Sequence, residues 1–573
     1  MPKKRSLYAI LLLILSSAFF IALQLFDNFR NADKRFESFT DNLFCQEVSS
    51  NSITLHYTLS HPESYNIHED PISLGSFQTT NAGQLASIEN CLSRLNDISY
   101  DALSEKNKST YLVLKDSLEL SLEGAPYTLY QEPLSPLTGI QSQLPILLSE
   151  YAFHDKSDIQ TYLSLLETIP AYFDSLIQFE KAKSDAGLFL PSYIADTLIE
   201  ECQSFINLDS NNYLYSSFED RMNSVKGLSA NQKNQFLLQN KESVQNDVIP
   251  SYQKLIQTLK ELKDTGKNSI GLCGLPDGMS YYEYLVKCET GSDRSMSELE
   301  TFIRNQIRED LVCIQEILGS SEYAVSSDTA LQDSDPKAIL DDLKDNLDGL
   351  FPSAPDVQVD VKYVQPEMER YLSPAFYMIP AIDLTSQNTI YINPGHLPDD
   401  LELYTTLAHE AYPGHLYQNV YYASTDPSPI RSLTDCGGYT EGWAVYAEMT
   451  SYYFTEMEKP QAALLQHNAS VMLGLYALAD IGIHYNSWTL MDTISFFRDF
   501  GIKDNETIQD IYELIIGDPA NYLKYYVGYA EFLQLKRDCI TEWGKDFSQK
   551  RFHKAVLEAG PMPFYLLRKI VLK

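Results

Sequence analysis

The sequence predicts a mainly α-helical protein with a small β-hairpin or sheet and a deep central cleft between helical lobes. Three observations carry this. Apolar residues recur at three- and four-residue steps through most of residues 81–263. The stretch that reads as β-rich is short, residues 376–393. A chain of 573 residues with 39 Tyr has enough apolar and aromatic mass to fill a large core.

Composition narrows the function. Forty-three basic residues face 78 acidic ones, a net charge of −35, which argues against nucleic acid and against electrostatic docking on anionic lipid. The acidic surface is explained by solubility alone.

Residues 1–26 differ from the rest. Lys3, Lys4 and Arg5 precede an uncharged run from Ser6 to Phe26, long enough to span a bilayer as a helix. The basic flank predicts a cytoplasmic N-terminus and places the rest of the chain outside the membrane. Ser16 and Ala18 offer a competing cleavage site for a secreted protein, but the apolar run continues past them to Phe26, which favours an uncleaved anchor. The first cysteine, Cys45, is too distant for a lipoprotein signal. Residues 27–50 mix charges and read as a juxtamembrane connector, followed by one helical body over 51–573.

Within that body, residues 51–350 read as cleft wall. Ser157-Asp158 can cap a helix whose stripe is Ile159, Leu163, Leu166, Ile169, Phe173 and Leu176, with Pro170 as a kink. His56, His61, His68 and His154 are isolated and read as surface or core residues. Gly271 to Gly278 is dense in turn residues and precedes Tyr281, Tyr282 and Tyr284, so it reads as a turn and helix start. None of the eight cysteines forms C-x-x-C, so thiolate zinc is disfavoured; Cys273 and Cys288 are close enough to pair. Phe376–Asp383 and Thr389–Asn393, with a turn at Ser386-Gln-Asn388, predict the hairpin.

Residues 351–573 carry the chemistry. Thr406-Leu-Ala-His-Glu-Ala-Tyr-Pro-Gly-His415 holds two of only ten histidines, with a glutamate after the first. Zinc takes neutral imidazoles, and a metal hydrolase needs a carboxylate beside the activated water. His409, His415 and Glu410 are the right types. In H-E-x-x-H the histidines share a helix face at i and i+4. Here they are six apart, which on an unbroken helix rotates the second by roughly 240°. Pro413 and Gly414 lie in the gap, so a helix break that swings His415 back toward His409 is expected.

His409-Glu-Ala-Tyr-Pro-Gly-His415 and Glu441-Gly-Trp-Ala-Val-Tyr-Ala-Glu448 resemble the signatures of the DUF885 family, helical proteins similar to zinc metallopeptidases of the gluzincin type. The matches run from about Leu129 to the end and are most specific from His409 to Glu448. The resemblance implies a peptidase of short peptides that binds Zn²⁺ through His409, His415 and Glu441, with Glu410 as general base. Glu448, seven residues beyond Glu441, is the alternative ligand or a partner for a histidine N–H. Asp480-Ile-Gly-Ile-His484 resembles a family helix in which the aspartate orients a histidine that stabilises the oxyanion. Tyr525 aligns with a second family oxyanion donor, and Tyr526 stays open as the register or as a substrate contact. The hairpin resembles the edge strand on which zinc peptidases bind extended peptides, with Asn393 orienting the substrate. His553 reads as structural. Two other functions compete: a non-catalytic cell-surface binding protein, and a zinc hydrolase of a non-peptide amide.

Overall fold

The computed structural model of the chain describes residues 31–573 apart from 69–70, 137, 267, 269, 321–334, 365, 367–368, 370–371 and 398. The expected membrane segment therefore lies outside the described residues. The expected connector does not stay a connector. Residues 31–48 are helical, and Phe36, Phe39, Phe44 and Val48 are buried with Leu95, Leu103, Tyr111 and Ile430 in a satellite core. Their spacing of three, five and four residues keeps the apolar side chains on one side of the helix, which is the physical reason the segment packs against the body.

The body is helical, with most elements sharing one hydrophobic core. In the first half, α1 (Lys156–Asp185) buries the expected stripe of Ile159, Leu163, Leu166, Ile169, Phe173 and Leu176. Its cap is Asp155, whose carboxylate accepts from the Ser157 and Asp158 amides, and the helix continues through Pro170. The turn over Leu275–Gly278 leads into α2 (Gly278–Thr290), which buries Tyr281 and Tyr282. α3 (Met296–Gly319) follows, with a Ser295–Glu298 capping box.

The β element is the expected small sheet, and it has three strands. β1 (Gln358–Tyr363) pairs parallel to β3 (Gln387–Ile392), and β2 (Ala375–Met378) pairs antiparallel to β3 from the other side. Residues 379–386 link β2 to β3, so the expected tight turn is a longer loop. β1 was not expected: it is a half-exposed edge strand whose pairing comes from residues about 30 positions away, a contact that local pattern does not encode.

The second half continues as α4 (Asp400–Glu410), α5 (His415–Ala423), α6 (Gly437–Ser451), α7 (Lys459–His484), α8 (Asn521–Trp543) and α9 (Gln549–Ala559). α6 and α8 cross at backbone contact. A Cβ on Gly442 would lie 2.3 Å from the Gly528 carbonyl carbon, and one on Gly528 would lie 2.0 Å from the Gly438 oxygen. Only glycines allow this approach, and it brings Glu441 and Tyr525 to the same region. All eight cysteines are free thiols, so Cys273 and Cys288 do not pair; the Cys273 thiol lies 3.2 Å from the Ile483 carbonyl.

Candidate metal centre

α4 ends at Glu410 and α5 begins at His415, so the helix breaks where Pro413 and Gly414 stand. A side chain at Gly414 is excluded, since its Cβ would meet the His409 carbonyl oxygen at 1.7 Å. Trp443 of α6 fixes the break by donating its indole N–H to the Pro413 carbonyl at 2.8 Å. The two imidazole rings come together with centroids 4.9 Å apart and planes 79° apart.

The Nε2 atoms converge on one carboxylate oxygen. Glu441 Oε2 lies 3.6 Å from His409 Nε2 and 3.3 Å from His415 Nε2. The other nitrogen of His409, Nδ1, lies 3.2 Å from Glu448 Oε2. One helix, α6, thus supplies a carboxylate to each side of the His409 ring, from positions seven residues apart. Ligand-type atoms of His409, Glu410 and His415 also lie within 4.8 Å of one another. Glu410 points differently from Glu441: its Oε2 accepts the Tyr377 amide of β2 at 2.9 Å. Tyr377 is itself held, donating its hydroxyl to Asn388 at 2.6 Å and accepting from Asn419 at 3.0 Å.

The electrostatics suit a cation. Burial alone would push His409 toward neutrality, but the hydrogen bonds to Glu441 and Glu448 win and hold its imidazolium up to about 10. Burial likewise opposes the charge on Glu441, and the hydrogen bonds to His409 and His415 override it, holding the carboxyl below its ordinary range. The two imidazole Nε2 atoms and the Glu441 oxygen that converge here form a two-nitrogen, one-oxygen donor set of the kind zinc takes. Glu448 then fixes the ring from its far side, as partners of metal-bound histidines do. His409, His415 and either Glu441 or Glu410 have the donor types that Zn²⁺ takes.

The structure separates the remaining expected site residues. The Tyr525 ring lies 6.5 Å from the His409 ring. Burial raises its hydroxyl pKa, and Glu441 and Glu410 raise it further, so the phenol keeps its proton. Tyr526, expected as a substrate contact, is instead fully buried, and its hydroxyl near Ser470 makes no hydrogen bond of ordinary geometry among the described residues. His484 is not placed to donate to an oxyanion. It is buried, its Nδ1 accepts the Leu272 amide at 3.0 Å, and its Nε2 donates to the Ile515 carbonyl at 2.8 Å. Asp480 does not orient it; Asp480 Oδ1 accepts from the Tyr282 hydroxyl at 2.5 Å and the Ala520 amide at 3.1 Å. Asn393 is also structural, donating to the carbonyls of Glu369 and Leu372 at 2.6 and 2.7 Å and accepting from the Gly395 amide. The Tyr377 amide and the Trp443 indole were missed. Trp443 stands inside the Glu441–Glu448 signature, but nothing in the sequence points its indole to the Pro413 carbonyl, and a backbone amide such as that of Tyr377 carries no motif.

Fold and site together define a mainly helical protein that gathers two histidines and three glutamates, Glu410, Glu441 and Glu448, in one cluster. The chain belongs to the family described as "Bacterial protein of unknown function (DUF885)", which it matches over residues 76–571. Its fold is similar to that of a "putative lipoprotein" from Colwellia psychrerythraea, with a TM-score of 0.81 and 19% identity over 95% of this chain and 98% of that one. It is also similar to a "putative lipoprotein of unknown function" from Shewanella oneidensis, with a TM-score of 0.64 and 17% identity over 93% of this chain and 99% of that one. A looser likeness, to a "putative oligoendopeptidase F" from Bacillus anthracis, has a TM-score of 0.32 and 10% identity over 88% of this chain and 94% of that one, too low to carry weight. No curated protein matches.

Proposed function

We propose that the protein is a zinc-dependent peptidase of the cell envelope. The observation that carries this is the convergence of His409 Nε2, His415 Nε2 and Glu441 Oε2, with Glu410 anchored to the edge strand alongside. A bound zinc supplies Lewis acidity, which makes a water acidic enough to react at neutral pH. Glu410 takes the proton of the attacking water on the carboxylate that Tyr377 orients and passes it to the leaving amine. The protonated Tyr525 hydroxyl donates to the oxyanion that develops on the carbonyl oxygen. Because Tyr377 gives its amide to Glu410 and not to β3, the outer edge of β2 runs past the base, and an extended peptide pairing there reaches it.

The envelope location rests on the basic flank and apolar run of residues 3–26, together with relatives described as lipoproteins. Among the described residues no helix is long and apolar enough to cross a membrane.

The test follows zinc content and cleavage of a mixed short-peptide library. Glu441→Ala is expected to lose zinc and cleavage together. Glu448→Ala is expected to lose less, about 10–100-fold in affinity or activity. Wild-type protein that binds zinc tightly and cleaves nothing sinks the peptidase reading, and a more damaging Glu448→Ala moves the ligand assignment to that residue.

A further inference from the structure

A second pocket, of about 380 Å³, backs onto α6. Tyr446 and Thr450 line it, and they stand roughly 140° and 180° around the helix from Glu441. α8 contributes Tyr529 and Lys536, and α9 contributes Gln549 and His553.

Its polar groups form a directed chain. The Leu350 carbonyl can only accept, so His553 Nδ1 donates to it at 2.8 Å. Burial brings His553 down to about 3, so the ring is neutral and its Nε2 is an acceptor. The Tyr446 hydroxyl donates to that Nε2 at 2.9 Å, which leaves the Tyr446 oxygen to accept from Lys536 Nζ, also at 2.9 Å. The chain uses one proton of the ammonium group and none of its charge. Among the described residues no carboxylate pairs with Lys536, in a protein with 78 acidic residues against 43 basic ones. The Lys536 ammonium is partly desolvated, and burial brings it to about 8. On the same pocket wall, Gln549 Oε1 is buried without a hydrogen-bond partner among the described residues.

The pocket therefore offers one unneutralised cation, one orphaned acceptor and aromatic walls. A single ammonium, with no arginine in the lining, suits a monoanion better than a phosphate. The volume is in the range of small-molecule sites. We propose that this pocket binds a small carboxylate with an apolar body and an N–H donor, such as a free or N-acylated hydrophobic amino acid. The carboxylate meets Lys536, the N–H meets Gln549 Oε1, and the apolar body lies against Tyr446 and Tyr529. The site is separate from the metal centre and does not depend on the peptidase reading.

Calorimetric titration of the full chain tests this, with N-acetyl-L-leucine and L-leucine as probes on metal-loaded and metal-free protein. At least one of them is expected to bind equally in both metal states. 4-Methylpentanoate, which lacks the N–H, is expected to bind more weakly, and isoamylamine, which lacks the carboxylate, not at all. Lys536→Met is expected to weaken binding by at least ~10-fold, the low end for a lost charged hydrogen bond, and Gln549→Ala by roughly 3-fold. Gln549→Ala alters only the first turn of α9, so it carries the test if Lys536→Met does not fold. No binding by either probe up to millimolar concentration, or unchanged affinity in the variants, overturns the proposal. Binding that vanishes with the metal also overturns it, because the carboxylate then sits at the metal centre.

Discussion

At Glu410 one oxygen is occupied by the Tyr377 amide, which leaves the other to carry a proton. Glu410→Gln keeps the shape of the side chain and removes its basicity. It is expected to retain zinc, read by elemental analysis, and to lose at least ~10²-fold in kcat. The two adjacent tyrosines give a paired prediction. Tyr525→Phe removes a donor beside the centre and is expected to cost ~10²-fold in kcat, the lower figure for one oxyanion donor. Tyr526→Phe removes a buried hydroxyl that has no ordinary hydrogen bond, so activity and melting temperature are expected to stay near wild type. The reverse result would move the register by one residue. That His409, Glu410 and His415 come together was legible, because their types suit a metal and Pro413-Gly414 predicts the break that closes the gap between them. His484 was not. A histidine four residues after an aspartate on a helix looks the same whether it faces a substrate or a core. What decides its role is the Leu272 amide and the Ile515 carbonyl, both far from it in sequence.

Among the elements, α6 sets the geometry, because it carries Glu441, Trp443 and Glu448 and rests on α8 through glycine. Gly442→Ala forces a methyl group into the Gly528 backbone. A destabilisation of about 1–3 kcal/mol is expected, typical of overpacking, measured by denaturant titration. Turnover is expected to fall as well, since separating the helices moves Tyr525 away from Glu441. The helix break before His415 could be read from Pro413 and Gly414, and the stripe of α1 from its periodicity. The sheet was harder. β2 and β3 are alternating runs close in sequence, whereas β1 is recognisable only once its parallel register to β3 is known. The helix over 31–48 is hard to see in the sequence because its charged residues are conspicuous and its phenylalanines are few, yet those phenylalanines lie on one side of it.

On the scale of the whole molecule, several acids are buried without a counter-charge strong enough to keep them ionised. Burial raises Asp480 from 3.8 to about 8, despite hydrogen bonds from Tyr282 and Ala520, and raises Glu201 from 4.5 to about 7. The folded protein therefore holds protons that the unfolded chain releases above pH 4–5. Stability falls as pH rises through that window to about 8 and is flat above it for these groups. Asp480→Asn imitates the protonated acid and is expected to remove up to about 1.4 kcal/mol per pH unit of that slope, measured by denaturant titration across the window. An unchanged slope would show that Asp480 is not protonated in the folded state.

The side chains proposed to hold the metal all come from one consecutive stretch, residues 409–448, while α1 and α2 build the body elsewhere. An ion held there fastens together only helices that are already neighbours along the chain. Chelation should accordingly speed amide hydrogen exchange in α4, α5 and α6 and leave α1 as protected as before. On the proposed function, the protein would lose its chemistry long before its shape, so a folded but inactive population is the state to expect wherever zinc runs short.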